Sequence, residues 1–166
     1  MMKSEKRWLR FGYASVNFGR PISMSEYCQQ QEIDFAVMDQ QERFAHIEKL
    51  SHLLMNKIAD VVPILPVALM SEVVLANQPD WLSELGAKAA AAARIEDLQT
   101  RSAPIEISAK VCEDVLAAAL AMLEGRGFIE RRDGLIRAQA GALDILRYYA
   151  NSIVQWKTGS SRRVEY

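Results

Sequence analysis

Two histidines, His46 and His52, are the first candidates for metal or acid–base chemistry in this chain of 166 residues. Both fall on one stretch with helical periodicity. They stand six positions apart, so they point to different sides of the helix and cannot share a metal ion. Each reads as a solvent-facing or core-edge histidine. Glu113 and Asp114 open another helix, where their charge suits the positive end of the macrodipole and needs no acid–base role. No Ser, Cys or Thr sits in a strand-to-helix nucleophile turn. No glycine-rich phosphate loop follows a strand. Cys28 and Cys112 lack metal-ligand spacing and are expected as two buried free thiols in a reducing compartment rather than a disulfide. The sequence therefore holds no self-sufficient catalytic constellation, and neither cofactor nor metal is expected.

Binding chemistry has more material. Arg126, Arg131, Arg132 and Arg137 cluster around an Asp133-Gly134 turn and could touch phosphates. Helix, glycine, strand, turn, strand is the outline of a winged helix. The helix that would enter a major groove, about 109–124, carries one Lys and two acids near its start and is otherwise mostly Ala, Leu and Val. A groove reader needs polar donors on its exposed face. Net charge is −1, so no global attraction to nucleic acid adds to the case. A membrane surface is the other option. Trp8, Arg10, Trp156 and Lys157 are the candidate contacts, supported by Lys3, Lys6, Arg7, Arg162 and Arg163. A basic group near anionic headgroups is worth about 1 kcal/mol. The longest uncharged stretch, Val61 to Ser71, is too short to span a bilayer, and the charged start leads into no apolar signal region.

The elements that must position these groups read as follows. Tyr13–Phe18 alternates as a strand, with Ala14, Val16 and Phe18 on one face. Gly19 and Pro21 end it. Ser23 and Glu26 have capping-box spacing for a short helix over about 24–31. Asp39 and Glu42 mark the start of a second helix, whose Phe44, Ile47, Leu50, Leu54, Ile58 and Val61 form one apolar stripe. Pro63 and Pro66 stop it. Pro66 then opens a third helix, about 66–77, apolar on nearly every side and hence expected to be buried. Asp80 is the expected cap of a fourth helix over 81–99, and Ser108 that of a fifth over 109–124. Asp133-Gly134 marks a hairpin over 127–138. A last helix is expected over 140–156, with Leu143, Leu146, Tyr149 and Ile153 inward. The tail 158–166 is polar.

Four blocks, in order, resemble one family. Val16-Asn17-Phe18-Gly19-Arg20-Pro21-Ile22 resembles the strand and turn that follow the catalytic motifs of bacterial glycerol-3-phosphate acyltransferases. Leu54–Leu69 resembles the helix pair after that strand. Glu124–Leu135 and Ala142–Ile153, with its Tyr-Tyr-Xaa-Asn pattern, resemble the closing hairpin and final helix. The resemblance implies acylation of the sn-1 hydroxyl of glycerol 3-phosphate from acyl-CoA or acyl carrier protein, at the cytoplasmic face of the inner membrane. It also implies a catalytic His-x4-Asp pair and a Phe-Pro-Glu-Gly motif, and both are missing here. Ser51 stands five residues after His46, and Lys57 five after His52. No catalytic residue carries over.

The expected fold is mainly α (α+β): a helical domain over 35–157 with a winged-helix-like hairpin. It is preceded by residues 1–34, an orphan strand and linker helix from an α/β acyltransferase domain whose sheet partners lie outside this chain. The resemblance implies a non-catalytic C-terminal part, inactive alone, that packs on the catalytic domain and aids membrane association, meeting acyl donors only through the full enzyme. The alternatives are a winged-helix DNA-binding regulator and a helical protein-interaction module.

Overall fold

A computed structural model describes residues 16–105, 107 and 112–157. Six α-helices and a small antiparallel sheet make up the described residues. The first helix, α1 (Met24–Gln30), starts where the Ser23 hydroxyl accepts the Glu26 amide at 3.3 Å. It ends in a reversal at Glu32, where the Ile33 amide returns to the Cys28 carbonyl at 2.8 Å. Helix α2 (Gln40–Val61) carries a complete capping box. The Glu42 amide donates to Asp39 at 2.8 Å and the Asp39 amide to Glu42 at 3.3 Å, satisfying two donors that a helix start otherwise leaves open. Pro63 and Pro66 break the chain, and α3 (Pro66–Ala76) leaves at 99° to α2.

The core is built around α3. Val67, Ala68, Leu69, Met70, Val73 and Val74 are all buried, as a helix apolar all round requires. Helix α4 (Glu84–Thr100) packs on it through Ala87, Ala91, Ile95 and Leu98. The small side chains at Ala87 and Ala91 let the two backbones come close. Helix α5 (Cys112–Gly125) adds Leu116, Ala119, Leu120 and Leu123. Helix α6 (Leu143–Asn151) adds Leu146, and Ile153 follows it inward. Arg94 ties three of these layers together. It donates to Glu72 of α3 at 3.3 Å, to Asp97, and to the Trp156 carbonyl at 2.9 Å.

The expected hairpin is present as β2 (Ile129–Arg132) and β3 (Leu135–Ala138). Asp133 and Gly134 both have positive φ, 51° and 77°, the conformation that a two-residue hairpin turn demands and that suits Asp-Gly. A third strand was not expected: β1 (Leu82–Ser83) pairs with the outer edge of β3, Leu82 opposite Ile136, giving the order β1-β3-β2.

This strand corrects the start of α4. The cap is Ser83, whose hydroxyl accepts the Gly86 amide at 3.0 Å, not Asp80. Leu82 and Ser83 are extended because β3 takes them up, so the helix starts one strand later. The last helix is also corrected. It is α6 flanked by 3-10 turns at Ala140–Ala142 and Val154–Trp156, and the break lets Ile153 and Trp156 both turn inward. The cysteines are free, and half-buried rather than buried. The Ser108 cap and Tyr13–Ser15 lie outside the described residues. Val16, Asn17 and Phe18 are in no helix or strand.

Candidate functional site

Among the described residues the geometry keeps the candidate groups apart. His52 faces Glu48 one turn away, at 3.9 Å. His46 meets the edge of the Phe35 ring, with centroids 6.4 Å apart. The two histidines are not brought together, and among the described residues no group of His, Cys, Asp and Glu could hold a metal ion. Glu113 and Asp114 lie exposed in the first turn of α5.

The arginines of the hairpin are spent inside the chain. Arg131 bridges β2 to two helices: it reaches Glu84 of α4 at 2.5 Å and Glu124 of α5 at 3.1 Å. Lys88 adds a second cation to Glu84 at 2.9 Å. Hydrogen bonds from Arg131 and then Lys88 hold the Glu84 carboxyl below its ordinary range, and the Glu84 carboxylate raises the Arg131 guanidinium further above its own. Arg137 binds Glu130 across the hairpin at 2.5 Å and lies over the Trp81 ring, 4.5 Å from its centroid, a cation–π contact. Arg132 stands beside Asp133 at 3.7 Å. Arg126 differs, donating to the neutral hydroxyl of Tyr149 at 3.1 Å. Among the described residues the outward side of α5 offers Glu113, Asp114, Ala118 and Ala121, none of which can donate to a base edge.

The membrane-contact candidates separate. Trp8 and Arg10 lie outside the described residues. Trp156 is only 7% exposed and belongs to the core. Its carbonyl is held by Arg94, which fixes the residue against α4. An indole in that place is closed to a lipid surface. Lys157, next to it, is half-buried.

What the sequence did not locate is a free surface on α2. Its apolar residues split into two sides. His46, Leu50 and Leu53 are half-buried, whereas Phe44, Ile47, Leu54, Met55 and Ile58 are between 42% and 63% exposed. No residue of this 22-residue helix is fully buried. Five large exposed apolar side chains fall along one helix side, and exposed apolar surface of this kind marks interaction sites. The segment before α1 crosses the end of this helix. The Asn17 side chain donates to the Val61 carbonyl at 2.9 Å, while Val16 and Phe18 stand 77% and 90% exposed. The stripe was readable as a pattern. Its exposure was not, because periodicity marks an apolar face without saying what covers it.

Among the described residues no single helix is long and apolar enough to cross a membrane; α2 and α3 reach that threshold only as a pair bent by 99°, and α3 is core. No curated protein and no solved structure matches this chain. A family model does, over residues 1–157, and it is described as the glycerol-3-phosphate acyltransferase C-terminal region. The chain belongs to that family of C-terminal regions.

Proposed function

We propose that this chain is the non-catalytic C-terminal part of a glycerol-3-phosphate 1-O-acyltransferase, which packs on the catalytic domain and helps the enzyme associate with the cytoplasmic face of the inner membrane. The observation that carries the reading is the uncovered side of α2, with Val16 and Phe18 beside its last turn. A surface of that kind is expected where a second domain is to be covered or joined. The order α3, β1, α4, α5, β2, β3, with strands in the order β1-β3-β2, supports a winged-helix unit inside the helical body. The pairing of Arg131 and Arg137 with carboxylates and the donor-free side of α5 favour a packing role for that unit over DNA binding.

The test is an acylation assay with purified chain, glycerol 3-phosphate and acyl-CoA, run with and without a separately expressed catalytic domain of the family. The chain alone gives no turnover above background, and adding it to the catalytic domain raises the soluble, active fraction. Turnover by the chain alone, or a catalytic domain indifferent to it, would sink the proposal.

A further inference from the structure

The exposed side of α2 has the spacing of a helix-pairing seam. Phe44, Ile47, Ser51, Leu54, Ile58 and Val61 follow one another at intervals of 3, 4, 3, 4 and 3 residues. That is the a and d series of a heptad repeat. A stripe held to those positions is the narrow seam along which one helix meets another, not the broader side that a helix turns to a core. Phe44, Ile47, Leu54 and Ile58 are exposed along it, and Met55 widens it beside Leu54. Val61, half-buried, ends it where Gly19 passes. Ser51 alone interrupts the apolar series, midway between Phe44 and Ile58. Its hydroxyl donates to the Ile47 carbonyl of its own helix at 2.8 Å, so the seam has a small, internally satisfied side chain at its centre.

The helix is also presented as a finished rod. The capping box closes its start. In its last turn the Ala59 carbonyl accepts from the Gln155 side chain at 3.1 Å and the Val61 carbonyl from Asn17 at 2.9 Å. A partner helix therefore loses only its own conformational freedom on docking. Charge borders the seam on both sides. Arg43 and Lys57, both exposed, fall at g positions along one border, and Glu48 falls at an e position on the other. The Arg43 guanidinium meets only the neutral Met38 carbonyl, at 3.2 Å, and Glu48 stands 3.9 Å from His52. Acids opposite Arg43 and Lys57 and a base opposite Glu48 complete such a pattern. A lipid surface fits less well, because α2 carries as many acids as bases, whereas helices that lie on membranes have a basic polar face.

We infer that this seam takes one amphipathic α-helix of another domain, packed knobs-into-holes along α2, with an acidic border against Arg43 and Lys57 and a base against Glu48. Ser51 is the polar a position that fixes the register, at a cost in affinity. The inference rests on the reading of α2 as the docking side and names what docks there.

A fluorescent three-heptad peptide tests it, with Ile at a, Leu at d, Glu at e and Lys at g, held where sedimentation shows it monomeric. The control peptide has the same composition with its apolar residues at alternate positions. Anisotropy should show one-to-one binding of the heptad peptide, at least about tenfold tighter than the control. Ser51→Leu should tighten it about tenfold and Ser51→Lys weaken it at least as much; the position is exposed, so both variants keep the fold. Leu85→Gln, exposed on α4, should change nothing. The peptide should also displace the family's catalytic domain from the chain. A catalytic domain that binds and is not displaced would overturn this inference and leave the docking reading intact. A peptide that binds as stated beside a catalytic domain that does not bind would do the reverse. Equal affinity for the two peptides, or indifference to both Ser51 substitutions, would overturn the seam. So would a chain that is dimeric on its own and becomes monomeric in Ser51→Lys, since a second copy would then occupy it.

Discussion

Replacing Ile47, Leu54 and Ile58 together by Gln separates the two roles an apolar helix side can have. All three lie on the outer side of α2 and are 44%, 42% and 54% exposed. Full burial of such a side chain is worth about 1.5–3 kcal/mol. Roughly half of that is already realised against the chain's own residues, and about 1 kcal/mol per residue remains for a partner to gain. Gln is a good helix former and keeps part of the apolar stem. The triple variant should therefore lose about 3 kcal/mol of its own stability, on the scale of one core truncation. It should lose about 3 kcal/mol of binding to the family's catalytic domain, on the order of a hundredfold in Kd. Urea denaturation measures the first quantity and surface plasmon resonance the second. A variant that unfolds outright would mean that α2 is covered by the chain itself. Unchanged affinity would mean that the docking surface lies elsewhere. Either result refutes the assignment of α2 as the interface.

Three further outcomes follow from the fold. Leu120→Ala empties a fully buried position on α5 and should cost about 2–5 kcal/mol in chemical denaturation; a smaller loss would show that the α3–α5 contact is loose. Asp39→Ala removes the cap of α2 and should cost about 1 kcal/mol, read as a lower melting temperature with the α3 core intact. Glu84→Gln tests the charge cluster at the hairpin. Hydrogen bonds from Arg131 and then Lys88 depress the folded-state pKa of Glu84. The stabilisation is therefore complete above the ordinary carboxylate value of about 4.3 and lost as pH falls through the lower folded value. The variant should melt below the wild type at pH 7, and the two should converge on acidification below about pH 4; a constant gap across that window would contradict the ion-pair account.

The local features were legible because they are decided within a few residues. Asp39 and Glu42 close their box on each other, Asp133-Gly134 sets its own turn, and Pro66 sits where a helix start has no use for an amide hydrogen. The α4 cap was not legible. Asp80 and Ser83 both have the chemistry for it, and the choice falls to Ser83 because Leu82 and Ser83 pair with Ile136 and Leu135 some fifty residues away. Trp156 was misplaced for a related reason. An aromatic next to a lysine near the end of a chain has the composition of a membrane contact. Arg94, from a different helix, captures its carbonyl and turns the residue into the core. In each case a contact distant in sequence overrides a sound local signal.

The same logic reassigns the arginine-rich hairpin. In a groove-binding wing the cations face outward and stay uncompensated until phosphate arrives. Here Arg131 crosses from β2 to Glu84 of α4 and Glu124 of α5, and Arg137 lies between Glu130 and the Trp81 ring. These contacts fasten the sheet to the helices. They make the hairpin an internal brace between the sheet and the helices. The surface that the brace leaves uncommitted is apolar and lies on α2. On the C-terminal role proposed above, that apolar side of α2 is the surface another folded domain would hold.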